Sequence, residues 1–146
     1  MTRPVALFGL AIALLLVQGV VISATVGSPD PQMVFGPYSV DWLAEVAARA
    51  GIGYRLVLAV LDPLFIITAA MFILRVFDGA MVGRVLALWF GLSDLLEDGM
   101  LYHAIFIAAP QTGDAIALVS LVTMAKWAAI VVAFPAALWR WFARSP

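Results

Sequence analysis

The sequence predicts an all-α integral membrane protein: a four-helix antiparallel bundle with a short amphipathic helix between helices one and two. Three observations predict it. Of 146 residues, 65% are hydrophobic and only 12% are charged, where a soluble domain carries about 25% charged residues. Mean hydropathy is +1.09, so the surplus apolar surface calls for lipid as its solvent. The apolar residues also gather in four long runs, each about the length needed to cross a hydrocarbon core of roughly 30 Å.

The first span is read over residues 5–24, interrupted only by Gln18 and two glycines. It follows Met-Thr-Arg-Pro and resembles a signal peptide, but no good small-x-small cleavage site follows it, so it is expected to be retained. Residues 26–38 hold Gly-Ser-Pro-Asp-Pro and Phe-Gly-Pro-Tyr and predict a turn-rich connection. Residues 40–50 set Trp42, Leu43 and Val46 against Asp41, Glu45 and Arg49, an amphipathic pattern expected at the interface or across the end of the bundle. The second span is read over 56–74, with Asp62-Pro63 inside it, and residues 75–84 as a tight turn. The third, 85–109, carries Asp94, Glu97, Asp98 and His103. A turn at Pro110–Asp114 leads to the fourth, 115–139, with Lys126 in mid-course and an aromatic and basic anchor at Trp139-Arg140-Trp141. All 146 residues are expected to form one transmembrane domain.

Orientation follows from the basic residues. Arg3, Arg75, Arg84, Arg140 and Arg144 fall on one side, and Arg49 and Arg55 on the other. The positive-inside rule places the first side, with both termini, in the cytoplasm.

Composition also excludes functions. A net charge of −1 gives no basic face for nucleic acid. The absence of cysteine removes disulfides, thiolate metal sites and cysteine nucleophiles. A single histidine rules out bis-histidine haem and histidine-box iron within this chain. No Glu-x-x-His pair, phosphate loop or serine elbow occurs.

What remains is a polar layer. At about 1.5 Å per residue, Gln18 lies roughly 20 Å from the cytoplasmic start of its span, and Asp62 roughly 18 Å from the cytoplasmic end of its own. Asp94 and Glu97 lie at about 14 and 18 Å, and Lys126 at roughly 20 Å. Four helices therefore bring ionisable or amide side chains to one level near mid-membrane. On the third helix Asp94, Glu97 and Asp98 share a narrow face that Tyr102 continues, whereas His103 points nearly opposite and reads as an interface or packing residue.

An Asp or Lys at the centre of a membrane helix costs about 2.5–3.5 kcal/mol on insertion scales. Lys126 is too deep to snorkel and is expected to face inward and pair with Asp62, Asp94 or Glu97. One lysine cannot neutralise four acids, so at least one carboxyl is protonated, cation-bound or open to water. A neutral acid beside an ionised one suits acid–base chemistry or proton transfer. A structural reading stands beside this. Asp62 precedes Pro63 and can satisfy backbone freed by a proline kink. Asp98 can reach outer water, and an Asp–Lys bridge can do no more than fix helix register. A divalent cation is compatible with four carboxyls, but the adjacent Lys126 weighs against it. A retinal Schiff base on Lys126 has no further signature, and the methionines and phenylalanines read as packing.

Tyr54, the Leu-Asp-Pro around Asp62, Asp94-Leu-Leu-Glu97 and Thr123-Met-Ala-Lys126-Trp127 together resemble a group of small bacterial four-helix membrane proteins without an assigned activity. The resemblance covers about the second half of the chain. It implies a bacterial inner-membrane protein in which Asp62, Asp94, Glu97 and Lys126 form one set. The chain departs from the group at Asp98, where the group carries asparagine, which leaves the charge of the cluster open. Architecture alone is similar to proteins of the sterol-isomerase and sigma-2-receptor type, which place acids among short helix bundles.

Asp62, Asp94, Glu97 and Lys126 are thus the candidate catalytic residues. Glu97 or Asp94 would be the acid–base group, Asp62 its partner and Lys126 the charge that tunes them. Gln18, Asp98, Tyr102, Thr123 and Trp127 are the candidate ligand contacts, and no metal or cofactor is expected. The expected partners are the lipid bilayer and a lipophilic small molecule, with oligomers or membrane-protein partners left open. The expected function is binding of that molecule with isomerisation, cyclisation or hydrolysis. A non-enzymatic assembly subunit and proton or ion passage stand as alternatives.

Overall fold

The computed structural model describes residues 4–26, 38–107 and 113–144. Among them it is all helical, with no strand. Five helices follow in order: α1 Pro4–Thr25, α2 Val40–Arg49, α3 Ile52–Val76, α4 Met81–Phe106 and α5 Gly113–Phe142. Most of the turn-rich connection read over 26–38, the turn at 110–112 and Arg3 lie outside the described residues. Gly113 and Asp114, expected in that turn, already belong to α5.

α1 is apolar apart from Gln18 and, in its last turn, Ser23 and Thr25, and it buries only the stripe Leu7, Ala11, Gln18 and Ile22. Val5, Leu16 and Val20 remain more than half exposed. A helix apolar on its outward face is built to stand in lipid. By length and apolarity α1, α3 and α5 can each cross a membrane. α4 has the length, 26 residues, but its middle carries Asp94, Glu97 and Asp98, and Arg84 lies near its start. The expectation of four spans is therefore met on apolarity by three.

α2 forms as its pattern predicts. Ser39 caps it, the Oγ accepting from the Trp42 N–H at 3.2 Å. Leu43 and Val46 are buried while Asp41, Glu45 and Arg49 stay outside. It packs across one end of the helices, against α4.

α3 begins at Ile52, earlier than residue 56, and continues as one helix to Val76. Its turn over Val57–Leu61 is a π-turn in which the Asp62 N–H donates to Val57 O. The cause is Pro63. In a regular α-helix its ring would press on the carbonyl of Ala59 and its missing N–H would leave that carbonyl unmatched. The wider turn accommodates both and presents Asp62 at its lower edge.

The α3–α4 turn is tight. Asp78 and Gly79 both take positive φ, 52° and 69°, which glycine adopts freely and aspartate tolerates. Gly83 then sits so close that an added Cβ would collide with Phe77 Cβ. Arg84 Nε donates to Gly79 O at 2.8 Å. Arg140 of α5 and Arg144 just beyond it donate to Val76 O at 3.3 and 3.2 Å, and Arg144 also pairs with Asp78. Arg84, Arg140 and Arg144 thus gather at one end.

Packing divides into two apolar clusters. One joins Leu7 and Ala11 of α1 with Ile66–Val76 of α3 and the following Phe77, Leu86–Phe90 of α4 and the small-residue stripe Ala129, Ala133 and Ala137 of α5. Those alanines are fully buried and let the neighbouring helices approach closely. The other joins Ile22, Tyr38, α2, Tyr54–Leu58, Leu101, Ile105, Ile116 and Val119.

Candidate functional site

Every candidate polar residue but one falls between these clusters. Gln18 lies between Ala11 and Ile22, Asp62 between Leu58 and Ile66, Asp94, Glu97 and Asp98 between Phe90 and Leu101, and Thr123 and Lys126 between Val119 and Ala129. All seven are buried. The shared depth expected from helix geometry is what the packing forms. Tyr102, half-buried beyond Leu101, is the exception.

Lys126 sits at the centre, 4% exposed. Its Nζ lies 3.3 Å from Asp94 Oδ1 and in direct contact with Glu97 Oε2. Glu97, with no exposed surface, is held from a second direction by Tyr38, whose hydroxyl donates to Glu97 Oε1 at 3.4 Å. The Tyr38 hydroxyl is also 3.1 Å from Thr123 Oγ1, and its backbone N–H donates to Ser120 Oγ at 3.0 Å. Its ring stacks on Trp42 at 5.2 Å, which ties α2 to the charged layer. Burial, with Glu97 beside it, pushes the Tyr38 hydroxyl above the ordinary tyrosine range, so it remains a neutral donor. Tyr38 was not legible as a site residue: its partners Glu97, Ser120 and Thr123 lie 59, 82 and 85 residues away.

Asp62 and Asp98 make the second half of the layer. One carboxyl oxygen from each of Asp62, Asp98 and Asp94 lies within 4.8 Å of the other two. Asp98 is 3% exposed, so the expectation that it reaches outer water is not met. Carboxyls this close repel one another unless a proton is shared between them, and such a proton would remove one charge from a layer in which Lys126 faces four acids. The three carboxyls could also surround a cation, with the Lys126 ammonium already occupying the Asp94 flank.

A cavity of about 250 Å³ opens against this layer. Gln18, Asp62, Asp94 and Lys126 form its polar end. Phe8, Phe65, Phe72, Phe134 and Trp127 line much of the remainder. The phenylalanines read as packing are therefore also cavity wall. Its flank between α1 and α5 is open: Ile12 and Leu15 on the rim are 41% and 36% exposed. Phe8, Phe72 and Trp141 close one end, with ring centroids 5.3–5.7 Å apart. Gln18 is 3% exposed, and its Nε2 has no hydrogen-bond partner among the described residues.

The candidate set is thereby sorted. Gln18, Asp62, Asp94, Lys126 and Trp127 share the cavity. Glu97 and Thr123 stand behind it, bound to Lys126 and Tyr38. Asp98 and Tyr102 line a separate groove between α3 and α4, beside Pro63 and Gly99. Arg55 lies over the Tyr102 and Phe106 rings at 5.9 and 4.8 Å. His103 is exposed and apart from the acids, as its helical position predicts. Comparisons with protein-family models, curated proteins and solved structures find no match to this chain.

Proposed function

We propose that this chain holds a lipophilic molecule in the flank cavity and acts on it by acid–base chemistry at the polar layer. The observation that carries the reading is the coincidence of an aromatic, side-opening cavity with Asp62, Asp94 and Lys126 at its inner end. A volume of about 250 Å³ is slightly below the ~300–1,000 Å³ usual for ligand sites. It suits the reactive part of a longer molecule whose remainder stays in lipid.

The reading includes α4 as a fourth crossing of an antiparallel bundle. Its 26 residues span roughly 39 Å, its acids are all buried, and Leu88, Leu92 and Leu96 cover its outer face. The arginines at the α3–α4 turn and at the end of α5 support a cytoplasmic side for that end and for both termini. With the resemblance to small bacterial proteins, the membrane is the bacterial inner membrane.

Roles follow from position. Asp94, at the cavity and ion-paired to Lys126, takes a proton from the bound molecule. The Asp62–Asp98 pair holds an exchangeable proton and returns it at a second atom, so an isomerisation or cyclisation leaves the proton count unchanged. Glu97 and Tyr38 are positioning residues that fix Lys126 beside Asp94. Hydrolysis would use the same groups with water as the attacking partner.

Native mass spectrometry with lipid extraction tests the reading on wild type, Ala11→Phe and Asp62→Asn. Ala11 lines the cavity and is nearly fully buried, so phenylalanine there fills it. A discrete lipophilic species retained by wild type and lost from Ala11→Phe is the expected result. No retained species in any form removes the main support.

One observation favours a second reading, an assembly subunit whose charges fix helix packing: Lys126 is already matched by Asp94 and Glu97. On that reading, cavity variants change nothing and only loss of the Lys126 pairs matters.

A further inference from the structure

Resting on the ligand-binding reading above, we infer that the occupant of the flank cavity carries a neutral hydroxyl group at its inner end, and that Gln18 is the residue that recognises it. Gln18 lines the polar end of the cavity beside Asp62 and Asp94, is 3% exposed, and its Nε2 finds no acceptor among the described residues. A buried amide donor left unmatched is costly. In lipid, no bulk water is at hand to satisfy it.

The neighbouring groups decide which chemistry matches. Gln18 offers a donor and needs an acceptor, whereas Asp62 and Asp94 offer acceptor oxygens. A hydroxyl does both, its oxygen accepting from Gln18 Nε2 and its O–H donating to a carboxylate. An ammonium supplies no acceptor and leaves Gln18 as it is. A fatty carboxylate brings another negative charge to four acids. An ester or ketone satisfies Gln18 but has no hydrogen to offer the carboxylate oxygens. The aromatic and aliphatic walls then take the hydrocarbon part, and the open flank lets the chain continue into lipid.

The full-length protein in phosphatidylcholine nanodiscs is equilibrated with equal amounts of 1-dodecanol, dodecylamine, lauric acid and methyl laurate, and the retained species are counted by native mass spectrometry. A separate arm replaces the probes with dioleoylglycerol, to tell a free long-chain alcohol from a glyceride hydroxyl. The expected result is dodecanol or the diglyceride retained about tenfold over the amine, acid and ester. Gln18→Leu should abolish that preference while the helical circular dichroism and thermal midpoint stay near wild type. Should Gln18→Leu not fold, Gln18→Met is used; it keeps the length, loses the amide donor and is expected to lose the preference equally. Retention of the amine above the alcohol overturns the inference, as does an alcohol preference that survives both variants. If wild type retains probes without preference and Ala11→Phe retains none, the cavity reading stands and the hydroxyl inference fails. If wild type retains none of the probes, both fail.

Discussion

The two ends of the polar layer both bury ionisable side chains and are packed in opposite ways. Behind the cavity Glu97, Tyr38 and Thr123 bind one another, Glu97 also holds the Lys126 ammonium, and every member is buried. At the cavity end Gln18, Asp62 and Asp94 face open volume, and one amide donor has no partner among the described residues. The contrast teaches that burial of charge does not by itself identify a reactive site. A charge whose neighbours fill its coordination holds helices in register, and one that borders a cavity is available to a ligand.

The comparison breaks most visibly at Lys126. Lys126→Met leaves Asp94 and Glu97 buried without their cation, and loss of one partner of a buried pair costs about 3–5 kcal/mol. Reversible unfolding in mixed detergent micelles should show that loss. The triple change Lys126→Met, Asp94→Asn, Glu97→Gln should recover most of it; no recovery would mean the loss comes from packing. A smaller effect is expected at Tyr38. Tyr38→Phe removes the hydroxyl shared with Glu97 and Thr123 and should cost about 1–2 kcal/mol, read by the same unfolding, with hydrogen exchange rising in α2.

At the other end the order of effects reverses between stability and binding. Asp62→Asn keeps a hydrogen-bonding group against Asp98 and is expected to change stability by less than ~1 kcal/mol, yet to lower retention of the bound species. A stability loss as large as that of Lys126→Met would erase the distinction between the two ends. The smallest change belongs outside the layer. Glu45 and Arg49 form an exposed pair at 3.6 Å, so Glu45→Gln should shift stability by no more than ~0.5 kcal/mol.

The depth of the layer was legible because a helix is a ruler. Each long run of apolar residues carried its polar side chain at a countable distance from its end, and the rise per residue left little freedom. The inward face of α4 was legible for the same reason. Which acid meets the cavity was not. Asp94 and Glu97 lie three residues apart on one face, and only the placement of α1 and α5 around that face puts Asp94 at the opening and Glu97 behind it. The Asp62-Pro63 step announced a disturbed helix, but a π-turn and a kink relieve the same clash and leave the same letters. Phe8, Phe65, Phe72 and Phe134 belong to the packing and to the cavity at once, a double role that periodicity cannot express.

The open flank between α1 and α5 has a consequence for concentration. A molecule reaching Asp94 by that route arrives from the hydrocarbon, having already left water. At about 0.8 kcal/mol per buried methylene, a ten-carbon chain is enriched in a bilayer on the order of a millionfold over the aqueous phase. Weak contacts in the cavity then suffice for occupancy. Affinity here is properly expressed as a mole fraction of the surrounding lipid, and selectivity among molecules of equal chain length reduces to the few polar atoms at the cavity's inner end.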